Sequence, residues 1–293
     1  MNAFLRLTLF SIGTTIALSA TSLYAQDTEF SQPPNVLVIA REYTKPGKSG
    51  ALHEKSESAY VKAMEAAKWP VNYIAMDSVS GVNRSLFVYG YPSFDAWEKD
   101  NAAQAKNPTL SAANDRAWSV EGDLLASTDE SVFRFRPDLS AGAGLELADM
   151  RYFEIRMYKI KPGHDQEWEE LVKMYVDGYK KAAPDAQWAA YQSFFGANNG
   201  GEFLAITPLK SLADVDKGFS DDQKFFAAIG EADGKRAGQL AAACIESMQE
   251  NLFHFNPKMS YPSNHFKTVD AAFWAPKPAA APKPAAPAPA KPQ

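Results

Sequence analysis

The fold is decided by a short stretch that occurs twice, as REYTKPG at residues 41–47 and as RMYKIKPG at residues 156–163, where one residue is inserted. Further matches follow in the same order: SFDA at 93–96 against SLAD at 211–214, and VFRFRPDLS at 132–140 against LFHFNPKMS at 252–260. Several segments repeated at an offset of about 115 to 120 residues indicate an internal duplication.

Each copy has the pattern of a β-α-β-β-α-β unit. In the second copy, β-branched and aromatic residues from 152 to 160 predict a strand, which Pro162 and Gly163 end. Apolar residues at helical spacing then predict a helix through Trp168, Leu171, Val172, Tyr175 and Tyr179. The same order in the first copy gives two units, at 35–138 and 149–258.

An α+β fold follows from this pattern. One layer of helices on a four-stranded antiparallel sheet is a ferredoxin-like unit. The second face of such a sheet also needs cover, because an apolar strand face is stable only when it is buried. We therefore predict that the two tandem ferredoxin-like βαββαβ units pack sheet to sheet as a pseudo-dimeric α/β barrel.

The opening strand of the second unit carries a family resemblance. Residues 152–163, YFEIRMYKIKPG, resemble the first strand of NIPSNAP-like domains, which belong to the dimeric α/β-barrel superfamily. The first unit keeps only Arg41, Tyr43, Pro46 and Gly47 of that motif, and it therefore resembles a diverged copy of the second unit. The resemblance implies the barrel fold, but it implies no particular chemistry, because relatives range from cofactor-independent oxygenases to proteins of unknown role.

Strand alternation assigns side chains to two faces of each sheet. On the first strands, the helix-packed side receives Val36, Val38, Ala40, Phe153, Ile155 and Met157. On the last strands, the residues predicted to pack under helices are Phe133, Phe135, Phe253 and Phe255. Charged and polar residues are left for the barrel interior, and they form the candidate ligand-binding set: Arg41, Tyr43, Arg134, Glu154, Arg156, Tyr158 and His254.

Guanidinium groups in a barrel interior suit a small organic anion or a phenol, because arginine binds carboxylates in a bidentate manner. His254 is the candidate catalytic acid or base, since the pKa of an unperturbed imidazole lies near neutrality. The alternative is a structural network in which Glu154 pairs with an arginine and tyrosine hydroxyl groups complete the hydrogen bonding. The residue types alone leave both interpretations open.

No cofactor and no metal site are predicted. The four histidines, His53, His164, His254 and His265, have no paired spacing, so a metal site would have to be assembled entirely by the fold. The sequence contains no phosphate-binding glycine loop and no nucleophile elbow. The single cysteine, Cys244, lies in an apolar helical stretch, which predicts a buried and unreactive thiol.

The two ends of the chain predict export and a spacer. Residues 1–25 combine Arg6 with an uncharged apolar run, as a signal peptide does, which predicts a periplasmic or secreted protein. Residues 275–293 contain only Pro, Ala, Lys and Gln, a composition typical of a disordered tail that can contact envelope components. No later segment reaches transmembrane length, so no membrane span is predicted for the mature protein.

Charge excludes one class of partner. Four of the 30 basic residues fall in these two ends, which leaves 26 basic side chains against 35 acidic ones in the body. A body this acidic argues against nucleic acid as a partner. A homodimer is compatible with the composition.

Three functions remain open on the sequence. The first is an exported α/β barrel that binds a small organic ligand. The second is a cofactor-independent monooxygenase or isomerase that acts on a phenolic or carboxylated small molecule. The third is a structural or interaction module of the envelope that works through its Pro-rich tail.

Overall fold

The computed structural model describes residues 32–142, 146–196 and 202–275. The first half contains the elements β1 (Val36–Thr44), α1 (Ala51–Ala67), β2 (Tyr73–Ser78), β3 (Ser85–Tyr91), α2 (Phe94–Ala105), α3 (Pro108–Glu121) and β4 (Leu125–Phe135). The second half contains β5 (Tyr152–Ile160), α4 (Asp165–Ala182), β6 (Ala189–Phe195), β7 (Glu202–Leu209), α5 (Ala213–Cys244, with a break at Gly230) and β8 (Ile245–Phe255). Two short helices follow, α6 (Asn264–Val269) and α7 (Ala271–Trp274).

The eight strands form one closed barrel in the order β1-β3-β2-β8-β5-β7-β6-β4, and every pair is antiparallel. The two halves join edge to edge, because β2 of the first half pairs with β8 and β4 pairs with β6. Closure removes the open strand edges that two separate sheets would present to solvent. The predicted α+β class and pseudo-dimeric α/β barrel are confirmed.

The barrel interior is apolar. A single cluster of buried side chains draws on both halves and includes Leu37, Ile39, Phe133, Phe153, Tyr191 and Phe253. Outside the barrel, α1 and α3 cover the first half and pack together, and α4 and α5 do the same over the second half. The buried Cys244 lies under that second helix layer, as the sequence predicts for an inert thiol.

The predicted assignment of strand faces is correct for β1 and wrong for β4, β5 and β8. Val36 and Val38 pack toward α2, as expected. The residues predicted to lie under helices but found in the interior cluster are Phe133, Phe135, Phe153, Ile155, Met157, Phe253 and Phe255.

The error in β5 has a simple cause. The register of β1 with β4 shifts between Tyr43 and Thr44, and that of β5 with β8 shifts at the equivalent place, between Lys159 and Ile160; the extra residue lies on β4 and on β8. The two strands therefore match at a constant offset with no inserted residue, and Arg156 corresponds to Ala40 instead of Arg41. Because side chains alternate along a strand, a slip of one residue moves each of them to the opposite face.

The chain beyond β8 closes one end of the barrel. The side chains of Phe266 and Trp274 join the interior cluster, and Trp274 Nε1 donates a hydrogen bond of 2.8 Å to the carbonyl oxygen of Ala148. Arg151 forms an ion pair with Asp270, which ties this segment to the residues before β5. We call residues 264–274 the C-terminal plug; among the described residues between β4 and β5, no α-helix corresponds to it.

The described part of the chain contains no helix that is both long and apolar enough to span a bilayer. The predicted signal peptide at 1–25 lies outside the described residues, as does the predicted tail beyond Ala275.

Candidate metal centre

Helix α1 presents an unusual face to the sheet. Its buried residues include His53, Ser56 and Glu57, which the helical spacing places on one side. The corresponding face of α4 is apolar, with Trp168 and Leu171. A helix normally buries its apolar stripe, so a buried polar stripe needs a specific explanation.

His53 lies at the centre of a buried cluster with three carboxylates. Its Nε2 atom is 2.8 Å from Glu42 Oε2, 3.3 Å from Glu121 Oε1 and 4.0 Å from Glu57 Oε1. One ligand atom from each of the four residues lies within 4.8 Å of the others. We call Glu42, His53, Glu57 and Glu121 the Glu₃His cluster.

Three elements bring the cluster together. Glu42 points outward from β1, His53 and Glu57 come from α1, and Glu121 is the last residue of α3. The side chain of Glu121 is 0% exposed, and neither of its oxygens has a hydrogen-bond partner of good geometry among the described residues. A helix C-terminus also carries partial negative charge, which disfavours a carboxylate at that position.

The pKa values follow from burial and mutual contact. Burial alone would lower the pKa of His53, but contacts with Glu121 and Glu42 outweigh it and raise this pKa to about 9. Burial raises the pKa of Glu57 well above its usual value, and it raises that of Glu42 as well. Burial also acts to raise the pKa of Glu121, but the contacts with His53, Glu57 and Tyr60 lower it overall.

The duplicated half shows what the fold itself requires at this place. In the second half, Tyr158 occupies the strand position that corresponds to Glu42, and its ring packs against Trp168 with centroids 4.8 Å apart. Matching β4 to β8 places Ala241 where Glu121 stands in the first half, and Ala241 packs on the apolar helix cluster. The barrel can therefore be built with an apolar contact here, and the Glu₃His cluster is not a requirement of the fold.

The predicted ligand-binding residues do not converge in one pocket. Arg41 and Tyr43 lie on the interior face of β1, toward the barrel end away from the C-terminal plug, and Arg41 Nη1 is 2.6 Å from Asp129 Oδ1 and 2.9 Å from Ser131 Oγ. Burial, followed by the charge of Asp129, raises the pKa of the Tyr43 phenol. Both side chains lie on the predicted interior face, and their role in binding a ligand stays a prediction.

Glu154, Arg156 and Tyr158 lie on the outer face of β5, so their predicted interior placement is wrong. The guanidinium of Arg156 is 2.8 Å from Glu154 and 3.1 Å from Glu250. Burial raises the pKa of Glu154, and it raises that of Tyr158 to about 12. The structural ion pair expected as the alternative for Glu154 is the arrangement found.

Arg134 and His254 also lie outside the barrel, because Phe133 and Phe253 beside them face inward. Arg134 is exposed. His254 is half-exposed, and its Nε2 atom is 3.8 Å from Asp77 Oδ2. Neither residue shares a pocket with Arg41.

A small apolar cavity lies in the barrel interior beneath the C-terminal plug. The volume of this cavity is about 50 Å³, and its walls include Leu37, Ile74, Val88, Tyr191, Ile206 and Phe266. That is well below the ~150 Å³ of an engineered apolar cavity that binds benzene. A larger molecule would need the plug to move.

Sequence reasoning missed the Glu₃His cluster entirely. The expectation that no metal site is present rests on histidine spacing, and a site with one histidine has none. The available signal is His53 followed four residues later by Glu57 in a predicted helix, which places two ligand-type side chains on one face. Glu42 and Glu121 are far away in sequence, and only the fold brings them near.

Comparisons with known proteins give structural similarity only. No protein-family model matches the chain, and no curated protein matches it. A Fusobacterium nucleatum protein named provisionally as a monooxygenase aligns at 14% identity and a TM-score of 0.49, over 75% of this chain and 91% of that one. An anthrone oxidase-like protein aligns at 14% identity and a TM-score of 0.48, over 77% and 93% of the two chains.

A variant chlorite dismutase from Candidatus Nitrospira defluvii aligns at 9% identity and a TM-score of 0.44, over 81% of this chain and 96% of that one. Similarity at this level carries no argument about activity. The function must therefore be argued from the residues of this chain.

Proposed function

We propose that this protein is a metal-binding α/β barrel that holds one divalent transition-metal ion at the Glu₃His cluster. The observation that carries the proposal is the fully buried Glu121 carboxylate, whose oxygens lack hydrogen-bond partners of good geometry among the described residues and lie beside His53 and Glu57. Buried carboxylates are costly unless a cation or a hydrogen-bond donor compensates them. Within the Glu₃His cluster, a protonated His53 provides only one positive charge for three carboxyl groups.

The donor set indicates the class of metal. One imidazole nitrogen with three carboxylate oxygens suits Mn²⁺, Fe²⁺ or Zn²⁺, whereas Ca²⁺ and Mg²⁺ prefer oxygen donors alone. All four ligand side chains are almost completely buried, with Glu42 the most exposed at 12%. A closed site of this kind favours a structural or stabilising role for the ion, because catalytic sites keep a position open.

The test is metal binding by the purified full chain. We expect about one Mn²⁺, Fe²⁺ or Zn²⁺ per chain by elemental analysis, and a saturable signal when metal is titrated into chelator-treated protein. Glu57→Gln is the informative variant, because the amide resembles the protonated carboxyl that burial favours at Glu57 in the metal-free protein. It should keep the metal-free fold and lose at least about tenfold in metal affinity.

Glu65→Gln is the matched control, since Glu65 lies on the same helix but is exposed. It should bind metal like the unmodified protein. A chelator-treated chain that folds normally but binds none of the three ions at millimolar concentration would refute the proposal. The Glu₃His cluster would then be a protonated hydrogen-bond network.

A second candidate function is the binding of a small molecule inside the barrel. It is supported by the apolar cavity beneath the C-terminal plug and by the polar side chains of Arg41 and Tyr43 on the interior face toward the opposite end. The ligand class is a small organic anion or a phenol. Native mass spectrometry of protein from its own host tests this candidate, and an Arg41→Ala variant that retains the same co-purified molecule counts against a role for Arg41.

We also propose that the protein is exported and that its tail contacts envelope components. A relationship to NIPSNAP-like domains is proposed from the resemblance of residues 152–163. Amino-terminal sequencing of the mature protein checks cleavage after Ala25 or Ala20. The monooxygenase or isomerase alternative requires turnover that survives chelation and falls in His254→Ala. A homodimer is tested by sedimentation of the purified chain.

A further inference from the structure

The Glu₃His cluster has a second layer of polar contacts on the far side of the His53 ring. His53 Nδ1 lies 3.3 Å from Ser85 Oγ on the neighbouring strand β3. The Ser85 hydroxyl donates in turn to Asp77 Oδ1 on β2, a short contact. Asp77 Oδ2 accepts a hydrogen bond of 2.7 Å from Asn256 Nδ2.

The direction of this chain of hydrogen bonds is fixed at its far end by the backbone. Asn256 Oδ1 accepts from the backbone N–H of Lys258 at 3.0 Å, so its Nδ2 group must face Asp77. The Ser85 hydroxyl is the donor in its contact with Asp77 Oδ1, so its single proton is not available to His53. The Ser85 oxygen is then an acceptor toward His53, which must carry a proton on Nδ1.

The consequence concerns the other ring nitrogen. With Nδ1 protonated, a neutral His53 presents the lone pair of Nε2 to the three carboxylates. A lone pair directed at carboxylate oxygens is repulsive unless a proton or a metal cation lies between them, so a metal ion bound here takes the place of the Nε2 proton. We propose that Ser85 and Asp77 are positioning residues that hold His53 in the Nε2-ligating tautomer for the metal ion.

This inference rests on the proposed function, because it assigns a role toward the same ion. It adds that the metal site depends on both halves of the barrel. Asn256 follows β8 of the second half, and Asp77 pairs with β8 where the two halves join. The orientation of a ligand in the first half is thus set by a residue from the second.

Asp77→Asn is the sharpest test. Because Asn256 already presents donors, the new amide must turn its oxygen toward Asn256 and its N–H₂ toward Ser85. The Ser85 hydroxyl would then donate to His53 Nδ1 and leave the proton on Nε2, which is the wrong tautomer for ligation. Second-layer changes of this type weaken metal binding by about 10- to 100-fold.

Ser85→Ala removes the acceptor and should weaken binding over the same range, and Ser85→Thr should restore it because the hydroxyl is kept. Ser131→Ala is the control, since Ser131 is also a buried strand serine and contacts Arg41. The affinities are measured for Zn²⁺ and Mn²⁺ by calorimetric titration of the full chain. The tautomer is read from long-range ¹H–¹⁵N correlations of the zinc-loaded protein, and the visible spectrum of the Co²⁺ form reports nitrogen ligation.

The expected result is a Nδ1-protonated His53 in the wild-type protein and its loss in Asp77→Asn. Wild-type affinity in both Asp77→Asn and Ser85→Ala, or an Nε2-protonated ring in the zinc-loaded wild type, would overturn the inference and leave the metal site standing. A wild-type chain that binds no metal refutes the proposed function itself. The two failures are therefore distinguishable.

Discussion

The most informative perturbation is a change of pH with and without a divalent metal. The pKa of His53 is raised from 6.5 to about 9 in the folded protein by Glu121 and Glu42, against the effect of burial. The folded state therefore holds this proton more tightly than the unfolded chain. The stability contributed by protonation is fully present below pH 6.5 and is lost as the pH rises through 9.

The size of the effect follows from the shift. A shift of 2.5 pKa units corresponds to roughly 3 kcal/mol of the free energy of unfolding. The raised pKa values of Glu57 and Glu42 act in the same direction but begin to act near pH 4.5. In a chain of this size, about 3 kcal/mol corresponds to a melting temperature lower by roughly 6–12 °C at pH 9.5 than at pH 6.

Bound metal should reverse the trend. Metal ligands must be deprotonated, so a rise in pH strengthens metal binding and with it the stability of the folded state. We expect the melting temperature of chelator-treated protein to fall between pH 6.5 and 9.5, and that of protein saturated with Zn²⁺ or Mn²⁺ to rise or stay level. The two curves should diverge most above pH 8.

Thermal and urea unfolding, followed by circular dichroism in chelator or metal, provide the measurement. His53→Gln is the control, because it removes the titration of His53 and should make the metal-free curve less steep above pH 6.5, where only the contribution of the buried glutamates remains. A metal-free wild-type curve that is flat between pH 6.5 and 9, or that matches His53→Gln throughout, would refute the electrostatic reasoning. Equal stability with and without metal at pH 9 would refute the metal part.

Three further predictions concern packing. Gly178→Ala should destabilise the protein by about 1–3 kcal/mol, because the new Cβ would approach Phe225 Cε2 to 2.3 Å, whereas Gly218→Ala, with open space around it, should stabilise by up to about 1 kcal/mol. Phe133→Ala should lower the free energy of unfolding by about 3–5 kcal/mol, and Arg134→Ala by about 0.5 kcal/mol or less, because only Phe133 faces the interior. Urea unfolding of the two variants measures this difference. Trp274→Ala should lower the free energy of unfolding by about 3–5 kcal/mol and enlarge the barrel cavity. Binding of xenon or benzene in crystals would detect the larger cavity, and an unchanged cavity would contradict the assignment of the C-terminal plug.

The architecture could be predicted from the sequence because it depends on order and periodicity. The duplicated strand motif and the apolar stripe of α4 survive divergence, and a closed barrel follows from two units that each leave a sheet face uncovered. The strand faces could not be predicted reliably. Matching Arg41 to Arg156 required an inserted residue, and the equivalent register shifts of the β1–β4 and β5–β8 pairs show that β5 has none relative to β1.

The Glu₃His cluster could not be predicted from the sequence for a different reason. Glu42 and Glu121 are 79 residues apart in the sequence. Strand alternation places Glu42 on the helix-packed face of β1, but nothing local distinguishes Glu121 from a surface glutamate. Burial alone changes their chemistry, and burial is a property of the fold. His53 and Glu57 share a local spacing, but one pair at four-residue spacing on a helix also fits an ordinary surface ion pair.

Comparison of the two duplicated halves supports the proposed metal site at the Glu₃His cluster. Two halves with the same topology meet the same packing problem between the first strand, the first helix and the helix before the last strand. The second half solves it with Tyr158, Trp168 and Ala241, which need no charge compensation. The first half places Glu42, His53 and Glu121 at that junction and accepts a desolvation cost that its own repeat shows to be avoidable. Because the fold does not require this desolvation cost, the Glu₃His cluster is explained by a role other than folding. The proposed metal cation is the partner that its donor atoms fit.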